Sequence, residues 1–133
     1  MKIFIAIVLA FIIADVLIVT FVIYKRLKKK LSASLIEKIR TEWKRIIRQS
    51  DRRHAIMDAD KLLDFTMTQM GITGNMGAKL KKSPHLFKDI NGVWKAHKVR
   101  NDIAHKIDFK VTEKIYKETM LYFKMAFKDL KIF

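Results

Sequence analysis

Apolar residues run almost unbroken at the start of the chain and turn periodic afterwards. From Ile3 to Tyr24 the sequence IFIAIVLAFIIADVLIVTFVIY contains only two polar residues, Asp15 and Thr20. A helix of that length, rising about 1.5 Å per residue, covers the roughly 30 Å hydrocarbon core of a bilayer. A cleaved signal peptide would have a shorter apolar region and small residues marking a cleavage site, and neither stands out. Residues 1–30 are therefore predicted to be a retained anchor with a basic flank, and residues 31–133 a separate domain.

In that second part the period is helical. Ser34 followed by Glu37 has the form of a capping box, and Leu35, Ile39, Trp43 and Ile46 or Ile47 make an apolar stripe, which predicts a helix over 34–49. Arg40, Lys44, Arg45 and Arg48 would form its solvated face. Asp51 is a good N-cap for a second helix carrying Ile56, Ala59, Leu62, Leu63, Thr66, Met67 and Met70, closed by Gly71 at C′. The stretch GITGNMG (71–77) reads as a turn. It is no phosphate loop, because no strand precedes it and no Gly-Lys-Ser/Thr follows. A short helical turn over Ala78–Lys82 should stop at Ser83-Pro84. From about Lys88, Ile90, Val93, Trp94, Ile103 and Ala104 predict a helix to His105 or Lys106, with Gly92 as a local weakness. KIDFKV (106–111) reads as an extended connection. Thr112 can cap a last helix to about Leu130, with Ile115, Thr119, Tyr122, Phe123, Ala126, Phe127 and Leu130 inward. The expected fold is all-α: an up-and-down bundle of four main helices preceded by one transmembrane helix.

Charge changes this picture in two places. Residues 31–133 carry 22 Lys and Arg against 12 Asp and Glu, a balance of +10 that favours polyanionic partners, nucleic acid or an anionic membrane. Only Lys2 precedes the apolar run, whereas Lys25, Arg26, Lys28, Lys29 and Lys30 follow it. The positive-inside rule then predicts a single-pass protein of the inner (cytoplasmic) membrane with its C-terminal domain in the cytoplasm. The basic flank reads as a lipid-headgroup contact. Asp15, near mid-span, would cost several kcal/mol as a lone carboxylate, which points to self-association with a second anchor helix. A proton relay would need partners that one helix does not contain. Cysteine is absent, which excludes disulfides and thiolate metal sites.

The densest run of chemically able side chains is WKAHKVRNDIAH, Trp94 to His105, with His97, Arg100, Asn101, Asp102 and His105. His97, Asn101 and His105 fall four apart and share a helix face, with Arg100 beside that line. A permanent cation next to an imidazole suits a phosphate, since Arg brings fixed forked donors and His moves protons near neutral pH. The helix macrodipole alone also favours Arg and His near a C-terminus. Asp60 and Asp64, one turn apart in the second helix, have the spacing of a two-carboxylate cation site, yet pairing with nearby Arg, Lys or His is the expected use.

Arg100-Asn101-Asp102-Ile103-Ala104-His105 resembles the signature of HEPN domains: an Arg, four to six residues, then a His, with a polar residue directly after the Arg. The outline of residues 34–131, an all-α bundle with the motif late in a helix, is similar too. The resemblance implies a metal-independent, cofactor-free ribonuclease that dimerises to bring two motifs into one cleft. His105 would activate the ribose 2′-hydroxyl, Arg100 would hold the scissile phosphate, and Asn101 would orient the pair. The products would be a 2′,3′-cyclic phosphate and a 5′-hydroxyl. His97 matches no position of the family motif; its inclusion rests on the shared helix face, as does an orienting role for Asp60.

Two features set the chain apart from a diffusible nuclease of this kind. Many HEPN domains act only as binding or dimerisation modules, and an anchor confines any cleavage to RNA near the membrane. Three readings follow: a membrane-anchored ribonuclease acting as a homodimer, a silent module that binds a protein or nucleotide partner, and a small membrane subunit that joins a larger complex through Asp15.

Overall fold

Buried apolar stripes on four helices of 15 to 18 residues decide the architecture. The computed structural model describes residues 1–27 and 30–133, and the side chains of residues 25–27 are not described. The chain is all-helical and falls into two compact units, Met1–Lys30 and Leu31–Phe133. The first unit is helix α1 (Lys2–Leu27), in which Lys2–Tyr24 is long and apolar enough to cross a membrane. Within it the Thr20 hydroxyl donates to the Val16 carbonyl at 2.6 Å, so that hydroxyl is satisfied inside its own helix. Asp15 has no hydrogen-bond or ion-pair partner among the described residues. Of the expected basic flank, Lys28 and Lys29 and the side chains of Lys25 and Arg26 lie outside the described residues.

The second unit is a bundle of α2 (Ala33–Ile47), α3 (Arg52–Gln69), α5 (Ile90–His105) and α6 (Glu113–Asp129), with the short α4 (Met76–Lys82) and a 3-10 turn (Pro84–Leu86) between α3 and α5. Helix α3 is central and packs on α2, α4, α5 and α6. The core gathers Ile39, Trp43 and Ile46 from α2, Ile56, Leu63 and Met67 from α3, and Phe123 and Phe127 from α6. Trp43 and Phe127 meet with ring centroids 5.3 Å apart, tilted as aromatic quadrupoles prefer. Ile47, the alternative to Ile46 in the stripe, is exposed.

Local signals set most helix ends. Asp51 caps α3, accepting from the backbone N–H groups of Arg53 at 2.8 Å and His54 at 3.1 Å, while the His54 ring lies 2.8 Å from its other oxygen. The bond from the His54 backbone, and then the one from its ring, hold the Asp51 carboxyl below the ordinary carboxylate range. At the far end Gly71 takes φ 87°, and the N–H groups of Gly71 and Ile72 reach the carbonyls of Thr68 and Met67, which is a Schellman closure. Thr112 caps α6 through the Ile115 N–H, and residues 106–112 form no helix or strand, as expected.

Three helix starts differ from the sequence reading. α2 is capped by Ser32, not Ser34, and begins at Ala33. The Ser32 hydroxyl accepts from the Leu35 N–H, and Glu37 turns to Arg40 instead of closing a box. α4 starts at Met76, two residues early, because Asn75 accepts from the Ala78 N–H. α5 starts at Ile90 instead of Lys88 because Asp89 accepts from the Gly92 N–H.

Two arginines, Arg53 and Arg40 (the latter expected to be solvated), close the bundle. Arg53 donates to the carbonyls of Phe109 and Ile103, the latter an orphan acceptor in the last turn of α5. Arg40 donates to the Ile132 carbonyl and ties the C-terminal residues to α2. Lys79 is 3% exposed, and its ammonium donates to the Asp64 carbonyl, the Asp64 carboxylate at 2.6 Å and the Thr68 hydroxyl at 2.6 Å. All three of its protons are used, which is the condition for burying an ammonium.

Gly92 is no weakness but a requirement of packing. A Cβ there would stand 2.4 Å from a carbon of the Tyr122 ring and 2.5 Å from an Asp89 oxygen, so α5 and α6 approach this closely only over a glycine. Gly92→Ala should destabilise the bundle by about 1–3 kcal/mol, because overpacking outweighs the helix-propensity gain of roughly 1 kcal/mol. The opposite sign is expected at Lys131, a non-glycine at φ 62° that closes α6 with bonds from Lys131 and Ile132 to the carbonyls of Lys128 and Phe127. Lys131→Gly should stabilise by about 1 kcal/mol. Chemical denaturation followed by the fluorescence of buried Trp43 reads both.

Candidate functional site

Helices α3 and α5 face each other across a cleft of about 1320 Å³, and α4 forms part of its wall. At its base lies Asp60, 3% exposed and carried by the central helix. A carboxylate so placed needs cations or strong donors. Helix α5 supplies them three residues apart: the His97 Nδ1 is 2.8 Å from Asp60 Oδ1, and the Arg100 Nε is 3.5 Å from Oδ2. Asn101 completes the group. Arg100 donates to its Oδ1 at 3.0 Å, and its Nδ2 faces the His97 Nε2 at 3.4 Å.

The donor and acceptor rules fix the states of this network. Arg100 can only donate, so the Asn101 oxygen must face it and the Asn101 amide nitrogen must face His97. The amide nitrogen can only donate, so His97 Nε2 is an acceptor. A carboxylate can only accept, so His97 Nδ1 carries the proton. The imidazole is thus oriented from behind by a buried acid, with its Nε2 lone pair turned to the Asn101 amide. A substrate hydroxyl that displaces this amide would meet a general base with a guanidinium next to it. The His97 side chain is 12% exposed and that of Arg100 34%, so the arginine is the more open of the two.

Asp60, His97, Arg100 and Asn101 thus come together. The other two candidates do not join them. His105 ends α5, is exposed, makes no hydrogen bond among the described residues and does not line the cleft. It sits five residues past Arg100 and eight past His97, about 7.5 and 12 Å along the axis. Within one chain, His105 and the Asp60 cluster are therefore separate. Asp102 pairs with Lys106 at 2.9 Å, outside the cleft. Asp60 and Asp64 do pair with His, Arg and Lys, as expected, and among the described residues no three His, Asp or Glu side chains gather as a cation site.

Trp94, one of the periodic apolar positions of α5, is half-buried and lines the cleft, its ring in T-shaped contact with His97 and the centroids 6.1 Å apart. Lys61 and Lys81 also line the cleft and are exposed, with no ion pair among the described residues. No sequence pattern marked the place of these three at the cleft, because a helical stripe gives the face of a residue and not its depth. No family model, curated protein or solved structure matches this chain.

Removing the buried acid leaves a histidine and an arginine facing each other without an anion. Asp60→Ala should cost about 2–3 kcal/mol, and Asp60→Asn, which keeps an acceptor for His97, about 1 kcal/mol. Denaturation curves of the full chain in detergent, read at Trp43, test the order of the two.

Proposed function

We propose that this chain is a membrane-anchored, HEPN-like, metal-independent endoribonuclease. The observation that carries the reading is the buried Asp60 gripping both His97 and Arg100, which sets an oriented base beside a phosphate-binding cation. The ribose 2′-hydroxyl displaces the Asn101 amide at His97 Nε2, which takes its proton as the 2′-oxygen attacks the neighbouring phosphorus. Arg100 offsets the charge growing on the non-bridging oxygens. The bond to the 5′-oxygen breaks, which leaves a 2′,3′-cyclic phosphate. The departing oxygen needs a proton, and His105 is suited to give it.

The axial separation of His105 from His97 makes that step one between two copies. A second copy related by a two-fold axis would bring its His105 towards the Arg100 cluster of the first, and the reverse. The active form is therefore a homodimer with two composite sites. Asp15 in α1, left without a partner in an apolar span, supports pairing within the membrane as well. The basic excess after α1 favours a domain on the cytoplasmic face of the inner membrane, so the RNA it reaches is RNA close to that surface.

One observation favours a second reading. In a single chain His105 stands apart from the cleft and Arg100 is already paired, as suits a silent module that binds a phosphate-bearing or protein partner and does not cleave it. One experiment separates the two. The full chain in detergent, as parent, His97→Ala and His105→Ala, is incubated with mixed RNA in excess EDTA, and product ends are assayed for cyclic phosphate. The ribonuclease reading expects cleavage by the parent and a fall of roughly 10²–10⁴-fold in either variant. Mixing the two inactive variants should restore part of the activity, since one composite site of a mixed dimer keeps both histidines. No cleavage by a folded, dimeric parent leaves the binding module standing.

A further inference from the structure

Trp94, His97 and Asn101, at positions i, i+3 and i+7 of α5, line two cavities at once. One is the cleft. The other is a recess of about 390 Å³ whose remaining lining is Lys95 and Lys98. The three side chains therefore form a ridge with a cavity on either side. Cations flank this ridge: Arg100, Lys61 and Lys81 on the cleft side, and exposed Lys95 and Lys98 on the other.

The cleft also contains four aspartates, which would repel a phosphate unless each were offset. Each is engaged by donors: Asp51 by His54 and the start of α3, Asp58 by Gln49 and by an Arg45 that it shares with Glu42, Asp60 by His97 and Arg100, and Asp64 by Lys79. Among the described residues Lys61, Lys81 and Lys98 make no ion pair, and the Lys95 ammonium lies 5.9 Å over the Tyr122 ring, so these four cations have no carboxylate partner. Trp94 adds what a plain anion site does not need. Its ring is held edge-on to His97, and its far edge lies beside Gly77, where even a Cβ would be 3.7 Å away. An aromatic face fixed in this way, half-open between two cationic hollows, suits a flat base attached to a phosphate.

We propose that a single strand of RNA crosses this ridge, one base stacking on Trp94, the phosphate beside it at Arg100, and the next phosphate in the Lys95–Lys98 recess. The strand must be single, because the bases of an A-form duplex stay stacked on one another and offer no free face to the ring. This path rests on the ribonuclease reading for the placement of the scissile phosphate, but its binding is measurable without cleavage.

The test uses the full chain in detergent micelles and a fluorescent pentaribonucleotide fully 2′-O-methylated, so that it lacks the attacking hydroxyl. Trp94→Leu should weaken binding about tenfold or more, and Trp94→Phe, which keeps a stacking face, less than about threefold. The Lys95→Ala, Lys98→Ala double variant should lower the slope of log K against log salt by about 0.7, the value for one phosphate of a single strand. A duplex of the same sequence should bind at least about tenfold more weakly. Equal binding by parent and Trp94→Leu, or by strand and duplex, overturns the path. If Trp94→Leu fails to fold, as judged by Trp43, the lysine pair and the duplex comparison decide. Trp94-dependent binding without cleavage of unmethylated RNA keeps the path and removes the ribonuclease reading. Cleavage with a Trp94-independent affinity does the reverse, and no binding of any strand removes the path.

Discussion

A carboxylate buried in the central helix is the constraint from which the rest of the domain follows. Asp60 sits among apolar side chains, where an unpaired negative charge is ruled out energetically. It is tolerated only if α5 docks in the one register that turns His97 and Arg100 towards α3. That register puts Val93, Ala96 and Ile103 into the core and leaves Asn101 at the edge of the cleft. The same contact that satisfies the fold therefore also orients the imidazole. Structure and chemistry are coupled here through one residue.

The basic character of the chain is divided in a similar way. Arg53 and Arg40 spend their donors on backbone carbonyls at the ends of α5 and the chain, and Arg45 on Glu42 and Asp58. Such cations stabilise the bundle by capping acceptors that helices leave open. The charge that remains free for a polyanion is smaller than the total, and Lys61, Lys81, Lys95 and Lys98 are the part of it that lies beside the cleft and the recess.

How much of this was legible in the sequence depends on the range of each interaction. The caps at Asp51, Gly71 and Thr112 act over two to four residues and could be read directly. With two serines near the start of α2, pattern alone preferred Ser34 because Glu37 completes a box; the chain uses Ser32, so the helix starts earlier. Gly92 looked like a defect because propensity is local, and its reason is a tyrosine thirty residues away. The pairing of His97 with Asp60 spans 37 positions, so the sequence supplied the candidates and the bundle supplied the bond. Helical spacing set His105 on the same face as His97, but it could not convey that two turns of rise carry it past the end of the cleft.

Lys79 has a chemical consequence of its own. Its nitrogen is an ammonium with every proton engaged by Asp64 and Thr68, and it lies under the junction of α3 and α4. An amine must be reachable to attack an acyl donor, and this one is 3% exposed while that junction is closed. Acylation of Lys79 therefore requires the two helices to separate, and its rate, set against those of the surface lysines, would report how often the wall of the cleft opens.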